Sequence, residues 1–283
     1  NSMQGTMSKK ILIAAAGTGG HIFPALGFAE GVTKRVPNIE IIFSGHNLSK
    51  NSYMSSCYKQ IDISAFPVSL NPLKIAKSLL INSYGVFQGV QILMKEKPDV
   101  LVGFGSYHKA HLLMAAVISQ VPSYLFAGDS IPGRVVRLFS PFAQSTGLFF
   151  PEAQKYIRGS FCTQTLPLRG HVCDKSEKKA FYGFDPEKPV ILVIGGSQGA
   201  KSINSLIPKI ALSLPDSIQY MHLAGTDDES KSTQTLYNKG NRKALVLNFE
   251  QNMQNAYQAA DIVVARAGAS TIAEVLYWKR PLL

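Results

Sequence analysis

Apolar residues in this chain fall in short continuous runs rather than in alternation, and most runs stop at a glycine or a proline. Residues 11–16, Ile-Leu-Ile-Ala-Ala-Ala, form the first run and read as a strand buried on both faces. Gly17, Gly19 and Gly20 then let the backbone turn tightly and come close to a ligand. A helical pattern opens at Ile22 and runs to about Arg35, with Pro24 in its first turn and Pro37 beyond its end. Strands are expected at 39–44 and, briefly, 61–63, with a polar stretch over 45–60 between them. Phe66-Pro67 and Asn71-Pro72 break the chain before a long helical pattern over 73–95. A strand at 100–103, a helix at 110–119, a strand at 123–126 and a helix from about Ile131 follow.

Residues 170–188 are charged and interrupted by Gly183 and Pro186, and are expected to link two lobes. Beyond them the alternation is cleaner. Strands fall at 190–194, 218–224, 244–248 and 262–265, and helices at 202–214, 229–239, 252–260 and 270–277. The second run, Val190 to Ile194, ends in Gly195-Gly196-Ser197-Gln198-Gly199-Ala200 and repeats the strand and glycine loop of the first. Such a loop leading into a helix N-terminus suits an anion such as a diphosphate. The pattern predicts the α/β class: two Rossmann-like, doubly wound parallel-sheet domains facing a cleft, divided as 7–168 and 169–283. Residues 1–6, ahead of Met7, are set aside as an extension. Arg280-Pro281-Leu282-Leu283 reads as a strand cut short, so the second domain is expected to be incomplete.

Composition narrows the partners. The 283 residues are 46% hydrophobic and 17% charged, a globular balance with room for sizeable cores. Cys57, Cys162 and Cys173 are odd in number and irregularly spaced, which implies neither a disulfide framework nor a zinc site and favours a reducing compartment. No apolar run approaches the ~18–20 residues that span a bilayer. The net charge of +11 permits nucleic acid, an anionic membrane surface or acidic ligands, but no Lys/Arg block or nucleic-acid motif concentrates it. In the helix over 73–95, Leu73, Ile75, Leu79 and Leu80 interleave with Lys74 and Lys77. That mixture fits either a membrane-touching face or a helix packed on the sheet with its lysines in water.

Several residues could carry chemistry. His21 ends the first glycine loop at a strand's carboxyl edge, where it can serve as a general base or simply shape the loop. The loop Arg266-Ala267-Gly268-Ala269-Ser270-Thr271 offers amides and hydroxyls to phosphate. Glu274, one turn further, could accept both hydroxyls of a ribose or complement the helix dipole. Ser197 and Gln198 could donate to phosphate oxygens, and Arg169 could pair with a phosphate or a nucleotide carbonyl, or lie solvated at the surface. His46, His108, His111 and His171 lack ligand spacing with carboxylates or thiols, so no metal is expected. No Gly-x-Ser-x-Gly elbow with a triad is visible, which argues against a hydrolase.

Three motifs in one order, Gly17-Thr18-Gly19-Gly20-His21, Gly195 to Ala200 and Arg266 to Glu274, resemble the MurG family of peptidoglycan N-acetylglucosaminyltransferases. Gly103-Phe104-Gly105-Ser106-Tyr107 is similar to that family's Gly-x-Gly-Gly-Tyr loop, and the resemblance runs from about Met7 to Leu283. It implies a GT-B fold and transfer of GlcNAc from UDP-GlcNAc to the MurNAc C4 hydroxyl of lipid I, giving lipid II with inversion. By the same resemblance His21 is the candidate base, and Thr18, Gly19 and Gly20 line the cleft near the donor. Arg169 contacts the nucleotide, and Ser197 and Gln198 the phosphates. Phe249 and Glu250 hold the uracil largely through backbone, and Ala269, Ser270, Thr271, Ile272, Ala273 and Glu274 receive ribose and diphosphate. Gly103, Gly105, Ser106 and Tyr107 fall on the acceptor side. No metal cofactor is implied. The lipid-linked acceptor implies a peripheral enzyme at the cytoplasmic face of the bacterial inner membrane, which favours the membrane reading of the 73–80 face; no nucleic-acid partner is expected.

Two departures stand out. Where the family has His-Glu-Gln-Asn this chain has Phe126-Ala127-Gly128-Asp129, so Asp129 brings negative charge where the donor-side asparagine amide would be. The chain also stops before the family's glutamine-containing segment that reads GlcNAc. A transferase of another sugar or lipid, and a UDP-sugar-binding protein without turnover, remain as alternatives. A dinucleotide oxidoreductase fits less well, because neither loop is a clean Gly-x-Gly-x-x-Gly.

Overall fold

The computed structural model describes residues 9–15, 19–50, 54, 57–64, 72–105, 109–167, 174–196 and 198–283, with side chains left aside at 19, 20, 50 and 72–81. Residues 1–6 therefore lie outside what is described. The chain divides into two compact units, Asn1–Leu168 and Arg169–Leu283.

The first unit carries seven parallel strands: β1 (Lys10–Ala14), β2 (Glu40–Gly45), β3 (Lys59–Asp62), β4 (Val100–Phe104), β5 (Ser123–Ala127), β6 (Ser145–Leu148) and β7 (Phe161–Thr163). Their order across the sheet is β3-β2-β1-β4-β5-β6-β7. Helices α1 (Gly19–Arg35), α2 (Pro72–Glu96), α3 (Ala110–Ile118) and α4 (Arg134–Phe139) connect them. Leu12, Ile42, Leu101, Leu113 and Leu125 are buried in its core, which explains the uninterrupted apolar runs: strands covered on both faces have no solvent side to alternate towards. Strand order reverses between β1 and β4. The helices leaving those two strands therefore diverge to opposite faces and open a crevice at the strands' carboxyl ends.

The second unit repeats the plan with β8 (Val190–Ile194), β9 (Gln219–Leu223), β10 (Ala244–Leu247) and β11 (Ile262–Ala265), in the order β10-β9-β8-β11. Its helices are α5 (Lys175–Phe181), α6 (Lys201–Ala211), α7 (Asp227–Lys239), α8 (Met253–Ala259) and α9 (Ala269–Tyr277). Val190, Leu192 and Ile194 pack towards Tyr257, Val275 and Trp278, whereas Ile191 meets the Tyr220–Tyr237 cluster, so the strand's period of two feeds two cores. Here the order reverses between β8 and β11. Leu282 bridges in parallel to Val263, so the expected start of a further strand lies beside β11.

Two expectations are corrected, and two strands are added to the pattern. The helix expected from Ile22 begins at Gly19. The stretch 170–188, read as a linker, contains α5, an integral part of the second unit. Asp174 caps it by accepting from the Ser176 and Glu177 amides, and the buried Lys179 pairs with Asp261 at 2.9 Å. β6 and β7 had no counterpart in the sequence pattern. They are short, and every residue of β7 is exposed.

Candidate active site

The first crevice gathers four elements. Because α1 begins at Gly19, His21 sits in its first turn rather than at the end of the preceding loop. Opposite it Gly105 follows the last residue of β4, with a φ of +79° that glycine tolerates. A Cβ there would stand 2.4 Å from the His21 Cγ, so only glycine admits the imidazole against this strand end. Lys109, the residue that opens α3, is 2% exposed and donates from its Nζ to the Gly103 carbonyl at 3.4 Å. Asp129 lies exposed just past β5.

The electrostatics of this cluster are set mainly by burial. Burial lowers the pKa of His21, the Lys109 ammonium lowers it further, and the Asp129 carboxylate works against both. Burial also pulls Lys109 down to about 7. A lysine at a helix N-terminus opposes the helix dipole and supplies no cap, so local rules alone disfavour it there. Lys109 is the charged group that sequence reasoning missed: its sign is its burial, which no pattern reveals. Phe126, in the departing tetrapeptide, belongs to the core, 5.5 Å from the Phe104 ring.

The second crevice lies at the ends of β8 and β11. Gly199 and Gly225 both have positive φ, and their backbones touch: a Cβ on Gly199 would fall 2.0 Å from the Ala224 carbonyl oxygen. The turn after β8 closes by a Gly199 N–H to Gly196 carbonyl bond of 2.9 Å. Across the junction, the Ile272 N–H bonds the Gly268 carbonyl at 2.9 Å, so the amides ahead of it are the terminal donors that an anion meets. Glu274 is half-buried and hydrogen-bonded by the buried Tyr257 hydroxyl. Burial pushes its carboxyl up to about 7, with the Tyr257 bond pulling the other way.

The candidate residues thus fall into groups. His21, Gly103, Gly105 and Asp129 meet in the first unit; in the second, Gln198 follows β8 and the segment Ala269, Ser270, Thr271, Ile272, Ala273, Glu274 follows the neighbouring β11. Phe249 and Glu250 follow β10, two strands away from β8, where the Glu250 carboxylate accepts from the Tyr182 hydroxyl at 3.0 Å and the Asn252 amide at 2.7 Å. Thr18, Ser106, Tyr107, Arg169 and Ser197 lie outside the described residues. So do the side chains of Leu73, Lys74, Ile75, Lys77, Leu79 and Leu80, although the α2 backbone runs through them. Among the described residues no three His, Cys, Asp or Glu side chains group as a metal site requires, and no helix is long and apolar enough to cross a membrane.

A basic groove of about 510 Å³ in the first unit is lined by Arg134, Arg137, Lys155 and Arg158 around Tyr156. The cations of Arg137 and Lys155 lie 5.9 and 5.2 Å from the Tyr156 ring. Leu138 and Phe142 project beside it, 63% and 61% exposed.

Comparison with known proteins agrees with this architecture. Residues 11–148 match the glycosyltransferase family 28 N-terminal domain and residues 190–283 the family's C-terminal domain. A UDP-N-acetylglucosamine–N-acetylmuramyl-(pentapeptide) pyrophosphoryl-undecaprenol N-acetylglucosamine transferase of Protochlamydia amoebophila is 38% identical over 282 residues, covering 97% of this chain and 75% of the relative. The Chlamydia felis protein of the same name is 33% identical over 280 residues, covering 96% and 76%. Among solved structures, Acinetobacter baumannii MurG superposes with a TM-score of 0.67 at 24% identity, covering 94% of this chain and 74% of that one. Medicago truncatula UGT71G1, complexed with UDP-glucose, superposes with a TM-score of 0.63 at 15% identity, covering 98% and 79%. Both likenesses speak for the GT-B fold.

Proposed function

The chain belongs to glycosyltransferase family 28, with the pyrophosphoryl-undecaprenol N-acetylglucosamine transferases, and from that premise we propose that it transfers GlcNAc from UDP-GlcNAc to the MurNAc C4 hydroxyl of lipid I, forming lipid II of peptidoglycan. The observation that carries this reading is the 38% identity across nearly the whole chain. Two glycine-bearing turns at strand-order reversals, where α/β sheets bind ligands, support it.

In this mechanism the acceptor's C4 oxygen attacks the anomeric carbon from the face opposite UDP, so the new glycosidic bond forms with inversion as the bond to the diphosphate breaks. The free ring nitrogen of neutral His21 takes the hydroxyl proton. The departing diphosphate gains charge, and on this reading the glycine turn after β8 and the N-terminus of α9 stabilise it. Ionised Glu274 accepts the ribose hydroxyls. Thr18, Arg169 and Ser197 are assigned to the donor, and Ser106 and Tyr107 to the acceptor, on the family resemblance alone. Asp129 would sit beside His21 as a counter-charge, where the resemblance assigned it to the donor. The acceptor's lipid places the enzyme peripherally at the cytoplasmic membrane face, and no metal or nucleic acid takes part.

Calorimetry with UDP-GlcNAc, with UDP-glucose and NAD as controls, tests the donor site. Wild type is expected to bind uridine nucleotides and not NAD, and Glu274→Ala to lose roughly 1.5–3 kcal/mol, the worth of a hydrogen bond to a charged group. Lipid I turnover then tests the acceptor. NAD binding, or an unaffected Glu274→Ala, would overturn the assignment.

A further inference from the structure

Beneath the turn that follows β8 lies a chain of fully buried polar groups that the mechanism above does not use. Asn204 on α6, His222 on β9 and Tyr237 on α7 are 3%, 0% and 0% exposed. The Asn204 Nδ2 donates to the Ala224 carbonyl at 3.0 Å and to the Glu229 Oε2 at 2.9 Å. Both partners only accept, so the amide's orientation is fixed and its Oδ1 must face the His222 Nε2 at 3.1 Å. That nitrogen therefore carries the proton. The His222 Nδ1 is left as an acceptor, 3.1 Å from the Tyr237 hydroxyl, which donates to it. Donors thus run in one direction, from Tyr237 through His222 and Asn204 to Ala224, with each member satisfied. Burial agrees, holding the imidazole neutral by lowering its pKa to about 4.

The end of this relay touches the glycine turn. The Ala224 carbonyl that Asn204 holds is the atom filling the place of a Gly199 side chain, and a Cβ on Gly225 would meet the Gly199 amide at 2.2 Å. Asn204 is also tied to the turn by its own amide, which bonds the Ala200 carbonyl at 2.9 Å. We propose that His222 and Asn204 are positioning residues for the donor: through the Ala224 carbonyl they press Ala224 and Gly225 against Gly199 and so fix the shape in which the turn's amides meet a nucleoside diphosphate. The network rests on no ligand contact of its own, and the inference rests on the reading that this turn receives the donor diphosphate.

The test combines amide NMR shifts on addition of UDP with UDP affinity in His222→Phe, His222→Gln and Asn204→Asp. Glutamine can still donate to the Asn204 Oδ1, whereas phenylalanine cannot. His222→Phe and Asn204→Asp are expected to bind UDP about tenfold more weakly, and His222→Gln is expected to recover most of that loss. Gly199 and Gly225 amides should shift in the weak variants before any ligand is added. A variant that merely unfolds would lose its dispersed spectrum, and His222→Gln then decides the matter. If UDP shifts the Gly196 and Gly199 amides in wild type while folded His222→Phe retains full affinity, the positioning role is wrong. If UDP leaves those amides unmoved in wild type, the donor-turn reading itself has failed.

Discussion

At the residue scale, the two crevices each hold a group whose ionisation is set by burial, and each gives a pH-dependent prediction. Folding raises Glu274 from the ordinary carboxylate range to about 7. Between about pH 4 and 7 the folded chain therefore binds more protons than the unfolded one, and this residue's contribution to stability falls as pH rises through that window. Glu274→Gln keeps a partner for the Tyr257 hydroxyl and cannot ionise. It is expected to be more stable than wild type at about pH 8 and to lose that advantage by about pH 5, read from denaturant midpoints at unchanged slope. A difference independent of pH would mean that the folded carboxyl titrates normally. In the first crevice, Lys109 and Asp129 act on His21 with opposite signs. Lys109→Met should raise the His21 midpoint and Asp129→Asn should lower it, measured by NMR of the imidazole. Unmoved midpoints in both folded variants would show that His21 is insulated from them. His21 and Glu274 were legible in the sequence because each adjoins a glycine-bearing loop. Lys109 and His222 were not, since no sequence pattern marks a polar side chain as buried or joins partners 15 and 18 positions apart.

At the element scale, legibility followed burial. β1, β4 and β8 are buried at four of their five residues each, and apolar runs marked them and β11 to within a residue or two. β7, Phe-Cys-Thr at the sheet's edge, has no buried face to impose a pattern, and pairing with β6 alone makes it a strand. The start of α1 was misjudged for a different reason: glycine is a poor helix former, so Gly19 and Gly20 read as loop, yet the first turn tolerates them. α5 shows the same gap between propensity and context. Its sequence, Lys-Ser-Glu-Lys-Lys-Ala-Phe, has no apolar stripe, and what holds it is the Asp174 cap together with the joint pairing of Lys175 and Lys179 with Asp261. Asp174 accepts from the Ser176 amide at 2.7 Å and lies at the surface, so Asp174→Ala is expected to cost about 1 kcal/mol of unfolding free energy. A linker would feel nothing. Equal denaturant midpoints for variant and wild type would remove α5 from the second unit's cooperative fold.

At the scale of the whole molecule, the charge of +11 bears on where the enzyme works. A lipid-linked acceptor requires the protein to reach a bilayer, and no described helix is long and apolar enough to cross one. On the proposed peripheral reading, attachment depends on cations and projecting apolar groups, each Lys or Arg near an anionic surface being worth about 1 kcal/mol. The first unit offers both at the groove of Arg134, Arg137, Lys155 and Arg158, where Leu138 and Phe142 stand out into solvent. Among the described residues none of those four cations forms a salt bridge, so a surface of phosphates would not have to displace an internal carboxylate. Reversing two of them, Arg134→Glu with Arg137→Glu, is expected to weaken binding to phosphatidylglycerol vesicles by at least about tenfold. The same reversal on α7, Lys231→Glu with Lys239→Glu, should matter much less, and neither pair should change UDP affinity. Wild-type binding should also fall with added salt, because exposed charges are screened over about 8–10 Å at physiological ionic strength. Were the groove variant to partition like wild type while the α7 variant did not, the membrane-facing side would have to be sought on the second unit. A salt-insensitive wild type would instead make apolar insertion, not charge, the force that holds the enzyme beside its acceptor.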